Sequence, residues 1–164
     1  MTNVNNLKTS PNGRKFIEQF EGLYLHTYDD GTGVMTIGYG HTTPAGPPRV
    51  IPGMTITATQ ADDILSADLA SVEAEVNRVV MVAINQNQFD ALVSFDFNTG
   101  ALARSNVLRA INSNQFAAVP GDLNMWCHAG GRVLAGLVRR RKDEGILFNT
   151  PVPPAPPAME EPTA

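Results

Sequence analysis

Cysteine is nearly missing from this chain of 164 residues: Cys127 is alone, so no disulfide can form within it. None is needed, because 43% of the residues are hydrophobic, enough to build a core without staples. Cys127, beside Trp126, reads as a small core residue rather than a nucleophile, and Trp126 as core rather than a sugar platform. A long apolar run is also missing. Nothing approaches the roughly 18 consecutive apolar residues of a membrane span. The opening MTNVNNLKTSPNGRK has no apolar stretch of the signal-peptide kind. The expectation is therefore synthesis in the cytoplasm without stable membrane insertion. An excess of positive charge is missing too. Twelve Lys and Arg against 16 Asp and Glu leave a formal charge of −4, which argues against a nucleic-acid binder. The run Arg139-Arg140-Arg141-Lys142 is the exception. It reads as the solvated face of a C-terminal helix, with contact to an anionic polymer as the alternative. His26 and His128 have no partners at ligand spacing, so no metal is expected, nor any other cofactor.

What is present divides the chain into three expected stretches. Residues 1–57 read as a helix and a small sheet. Residues 58–150 read as a long connecting helix and a helical lobe. Residues 151–164, PVPPAPPAMEEPTA, read as an extended or disordered tail with little to bury. Ser10 and Pro11 mark the first helix start, Phe16, Phe20 and Leu23 its buried stripe, and Gly22 its stop. Between Tyr28 and about Ile51, β-forming residues alternate with turn glycines, the pattern of a hairpin or three-stranded sheet. Pro44 to Gly53 then reads as a long loop. Thr57 and Gln60 form a capping box ahead of a helix whose stripe is Leu65, Leu69, Val72, Val76 and Val79. Asn85 and Gln88 give a weaker start to a segment apolar on every side from Phe89 to Phe97, a core helix ended by Gly100. A last helix is expected at about Leu134–Leu147.

The chemistry concentrates between Glu21 and His41. Glu21 falls at the end of the first helix among apolar neighbours, a setting that disfavours its charged form and suits a general acid. Asp30 lies in a glycine-rich turn, more solvated and so ionised. Thr36 sits on the adjoining strand, where its hydroxyl can hold a water. Such an acid pair is what glycoside hydrolysis needs, and the sequence alone leaves inverting and retaining chemistry both open.

The window resembles the phage-type lysozymes, the endolysins of glycoside hydrolase family 24. Their pattern is Glu, Asp nine positions on, and Thr six further, as at Glu21, Asp30 and Thr36, running into Thr36-Ile37-Gly38-Tyr39-Gly40-His41. Three further blocks are similar: Gln88 to Gly100, Ser105 to Arg109, and Trp126 to Arg141. The match covers residues 14–149. One departure is Ala135, where a proline is common. The resemblance implies a lysozyme-like α+β fold of two lobes, a small antiparallel sheet lobe and a larger helical one, joined by a long helix with the cleft between them. It implies hydrolysis of the β-1,4 bond between N-acetylmuramic acid and N-acetylglucosamine in bacterial peptidoglycan, with inversion. Glu21 would be the acid, Asp30 would orient or activate water, and Thr36 would help place it. Asn98 would line the cleft. It also implies a monomer released by a holin pore.

The neighbours of this window have their own readings. Gly38 and Tyr39 are candidate substrate contacts, since glycine lets a backbone approach a sugar closely. His41 reads as structural, paired with Asp68 on the long helix, and that pair should depress the aspartate's pKa. Two other functions compete. A wall-binding module that no longer cuts has no chemical need for all three residues. A lytic transglycosylase uses no water and needs a single acid, so Asp30 and Thr36 speak against it.

Overall fold

Helix α1 spans Pro11–Glu21 in the computed structural model, which describes residues 2–154. Ser10 caps it by accepting from the Gly13 N–H, Pro11 takes the first turn, and the Gly22 N–H closes it on the Glu18 carbonyl. The expected buried stripe is shifted. Ile17 is the buried side chain, Phe16 and Phe20 are half-buried, and Leu23 is exposed. The cause lies in the C-terminal helix. The guanidiniums of Arg139 and Arg140 stand 5.6 and 5.4 Å from the Phe20 ring, so that ring faces cations instead of aliphatic core.

Strands β1 (Tyr24–Asp29), β2 (Met35–Gly38) and β3 (His41–Thr42) form one antiparallel sheet in chain order. Its register pairs Tyr28 with Thr36 and Ile37 with His41. The segment expected as a loop holds a short 3-10 turn, Thr43–Ala45, and then returns to β1 through a bridge between His26 and Thr55. Helix α2 (Ala58–Val79) runs 22 residues behind the complete Thr57–Gln60 capping box and buries Leu65, Leu69 and Val76. Helix α3 (Gln86–Thr99) begins with a second complete capping box, Asn85 and Gln88. It is buried continuously from Phe89 to Asp96 and ends at Gly100 in the left-handed conformation. Helices α4 (Asn106–Asn112) and α5 (Val119–Asn124) follow. Strands β4 (His128–Ala129) and β5 (Arg132–Val133) make a small hairpin that the sequence did not announce. Helix α6 (Ala135–Asn149) is the last regular element among the described residues.

Two hydrophobic clusters result. The larger joins α1, α2, α3, α4, α5 and α6 around Phe89, Leu92, Phe95, Leu102 and Phe148. The smaller, Ile37, Val50, Ile56 and Ala61, seats the sheet on α2. Tyr39 packs against both. Trp126 is partly buried edge-on to Phe95, at 5.6 Å, in keeping with a core role. Cys127 is half-buried and not part of either cluster, contrary to expectation; it leads into the exposed β4–β5 hairpin, with its Sγ 3.6 Å from His128 Nδ1. Residues 151–154 are exposed and without regular structure, and the remainder of the proline-rich tail lies outside the described residues.

Candidate active site

Glu21, Asp30 and Thr36 reach one cavity of about 320 Å³ from three different elements. Tyr28, Gly40, Thr42, Phe97 and Asn98 complete its wall. Glu21 arrives as the last residue of α1. Asp30 follows β1 in a turn held by its neighbour: Asp29 Oδ1 accepts from the N–H groups of Gly31 and Gly33, at 2.8 and 2.9 Å. Thr36 comes from β2, opposite Tyr28. A second cavity, about 340 Å³, lies on the other side of Glu21 and Asn98 and is walled by Phe20, Leu134 and Arg139. Glu21 and Asn98 therefore stand where two cavities meet.

The carboxyl of Glu21 is not in the apolar setting expected of it. Its Oε1 accepts from Arg140 Nη1 at 2.6 Å, and both side chains are largely out of solvent. Its Oε2 is the oxygen turned toward Gly40, where an added Cβ would come within 2.8 Å. Gly40 has φ of +77°, so this position is doubly suited to glycine.

Asp30 is solvent-exposed and well supplied with donors. Oδ1 accepts from the Thr32 hydroxyl at 2.6 Å and from the Thr32 N–H at 2.8 Å. These bonds hold its pKa below the ordinary carboxylate value, as expected of an ionised partner. Its Oδ2 has no hydrogen bond to the described residues. The Thr36 hydroxyl is buried and donates to the Val34 carbonyl at 3.2 Å, which leaves its lone pairs to accept. Burial first, then Tyr24, Glu21 and Asp30, push the Tyr28 phenol upward, so it remains a neutral donor over the cavity.

Asn98 lies in the cavity wall, whereas Gly38 and Tyr39 do not. A Cβ on Gly38 would point at Ile56 and Ala61, toward α2. Tyr39 faces the charged groups Glu18, Asp62 and Arg14 on the outer side. Gly40, in the turn between β2 and β3, and Thr42 on β3 reach the cavity instead.

His41 and Asp68 are brought together behind the sheet. His41 is buried, with Nδ1 2.7 Å from Asp68 Oδ2 and Nε2 2.9 Å from the Pro48 carbonyl. The carbonyl requires Nε2 to carry a proton. One expectation is corrected here. The Asp68 pKa is raised rather than depressed, because burial outweighs the hydrogen bond and charge of His41.

The sequence shows the basic run, but its reading does not place Arg140 and Arg141 at the site. They are buried, not a solvated face. The available signal was Glu144, four and three residues on, within reach of both on one helix face.

A small sheet and a helical body joined by a long helix, with an acid pair and a buried threonine around a cleft, define a lysozyme-like protein. Comparison with known proteins agrees. The phage lysozyme family model matches residues 18–144, and the chain belongs to that family. The chain is 38% identical to the endolysin of Salmonella phage P22 over 145 residues, covering 87% of this chain and 99% of that protein. It is 39% identical over 151 residues to the endolysin of Bacillus phage PZA, covering 90% of this chain but only 57% of that longer relative. Among solved structures, the muramidase domain of SpmX from Asticcacaulis excentricus superposes with a TM-score of 0.80 at 38% identity, covering 89% of this chain and all 100% of that one.

Proposed function

We propose that the chain is an endolysin-type muramidase that hydrolyses the β-1,4 bond between N-acetylmuramic acid and N-acetylglucosamine in bacterial peptidoglycan, leading to lysis of the host cell. The observation that carries this reading is the shared cavity of Glu21, Asp30 and Thr36. Glu21 is the general acid. Arg140 occupies Oε1, so the transferable proton belongs on Oε2, the oxygen on the Gly40 side. That proton passes to the glycosidic oxygen as the bond to the muramic anomeric carbon breaks. A water adds to that carbon from the opposite face, its proton taken by Asp30 and its position held by the Thr36 oxygen. The family's inverting outcome is part of the proposal, as are substrate contact by Asn98, release through a holin pore and action as a monomer. Among the described residues no helix is long and apolar enough to cross a membrane.

Digestion of purified peptidoglycan with mass spectrometry of the fragments tests this. Reducing N-acetylmuramic acid ends are expected. Anhydro ends would mean transglycosylation, and the absence of released fragments would leave a binding module.

A further inference from the structure

Four charged side chains run from the cleft into the body of the protein. Glu144 on α6 is fully buried, and its Oε1 accepts from the Ser94 hydroxyl at 2.7 Å and from Arg141 Nη2 at 3.0 Å. Arg140 Nε lies 3.3 Å from the same oxygen. Glu144 Oε2 sits 2.8 Å from Arg141 Nε without hydrogen-bond alignment, so this contact is one of charge. Both guanidiniums then continue outward to the cleft. Arg140 reaches Glu21 Oε1 at 2.6 Å, and Arg141 Nη2 reaches Asn98 Oδ1 at 2.9 Å.

Burying such a network is a poor way to gain stability, because desolvation of each ion offsets most of the attraction. Apolar residues of the same volume would serve a core better. The network instead ends on the two residues that stand between the cavities.

We propose that Glu144 is a positioning residue for the cleft, holding Glu21 through Arg140 and Asn98 through Arg141. The inference rests on the muramidase reading for its kinetic consequences, though not for its geometry. Glu144 balances one of two adjacent cations, so the positive field that reaches Glu21 is moderated. The charged groups acting on Glu144 are Arg141 and Arg140. From α3 it meets the uncharged Ser94, and Asp122, the single acid of α5, makes no ion pair or hydrogen bond with it. Around Glu21 the charged and titratable groups are Arg139, Arg140, Arg141, Tyr28 and Asp30.

The test is Glu144→Gln, which keeps shape and removes charge. The alkaline limb of kcat/KM on peptidoglycan should move about one pH unit lower, because the field of Arg140 on Glu21 is no longer shared. KM should rise several-fold as Asn98 loses its anchor. Ser94→Ala, which removes a hydrogen bond and no charge, should lower the melting temperature and leave the limb in place. A Glu144→Gln enzyme with an unmoved limb and unchanged KM, altered only in melting temperature, would overturn the proposal. Carbon-13 titration of the Glu21 carboxyl in both proteins gives the same answer without turnover. It therefore separates failure of this inference from failure of the muramidase reading. Should Glu144→Gln not fold, Glu144→Asp, which keeps the charge and retracts it by one carbon, should keep the limb and raise KM. An unchanged KM there is the contrary result.

Discussion

Arg140 Nη1 donates to Glu21 Oε1 across 2.6 Å and across 119 positions of the chain. One bond thus joins the end of α1 to α6 and fixes which oxygen of the acid faces the cleft. Arg140 is also held from behind, by the Ser94 carbonyl at 3.2 Å and by Glu144 at 3.3 Å. The acid is therefore oriented by a group that is itself immobilised, the condition for a preorganised site.

Glu21→Gln should abolish turnover while leaving the fold standing. The amide cannot give a proton to the leaving oxygen, so the rate on peptidoglycan should fall by about three orders of magnitude or more. Arg140 keeps Ser94 and Glu144 as partners, so circular dichroism should show a cooperative native transition. Near-normal activity in this variant would remove Glu21 from the mechanism.

Gly40→Ala should damage activity out of proportion to stability. Its Cβ would meet Glu21 Oε2 at 2.8 Å, and Arg140 prevents the carboxyl from swinging clear. Gly53→Ala is the matched control. Gly53 also has positive φ, +76°, but nothing within 4 Å of the added carbon, and it lies outside the cavity wall. Both variants carry the left-handed backbone strain, about 1–2 kcal/mol. The Gly40 variant alone should lose at least about tenfold in kcat/KM, or roughly 1.4 kcal/mol of transition-state stabilisation. Equal activities in the two proteins would show that the contact with Glu21 is immaterial.

The local part of the site was legible because it is written within one stretch, from Glu21 to Thr36. Caps were legible for the same reason: Ser10, Thr57 and Asn85 each act on a backbone group three positions away. What could not be read is the tertiary pairing. Arg140 and Arg141 look like any basic helix face until α3 and α1 are laid against them. Phe16 and Phe20 have the right spacing for a core stripe, and only the arrival of Arg139 and Arg140 shows why the Phe20 ring is half-buried. The expected depression of Asp68 failed on magnitude. The partner was identified, but the depth of burial that outweighs it is a property of the assembled fold. The β4–β5 hairpin has strands of two residues each, too short to show alternation.

Gly13→Ala should destabilise although alanine is the better helix former. Propensity favours alanine by about 1 kcal/mol in a helix interior. Here the new Cβ would overlap the carboxyl of Asp90, which is fully buried. That carboxyl accepts from the Ser10 N–H at 3.0 Å, from the Ser10 hydroxyl, and from Gln86 at 2.9 Å. Displacing it disrupts the α1 cap and strands a buried polar group, at a cost of about 2–4 kcal/mol. Denaturant unfolding reads the difference, and a variant as stable as the parent would contradict the close packing of α1 on α3.

Stability should fall as pH rises through the range in which Glu144 ionises. Burial, opposed by Arg141, Ser94 and Arg140, raises its pKa from 4.5 to about 6. A folded value above the unfolded one means that the native state binds this proton more tightly. The contribution is therefore fully present below about pH 4.5 and lost as pH rises through about 6. A shift of that size corresponds to about 2 kcal/mol. Asp68 and Asp96 are raised by burial as well, so their contributions have the same sign and are lost as pH rises above the ordinary aspartate range. Asp30, lowered by Thr32, has the opposite sign and weakens the fold only in more acidic solution. Subtracting the unfolding free energy of Glu144→Gln from that of the parent, between pH 4.5 and 7, isolates the Glu144 contribution. The difference should decline with increasing pH and level off above about 6. A difference that climbs with pH would mean that the two guanidiniums overcome burial and hold the Glu144 pKa below its ordinary value.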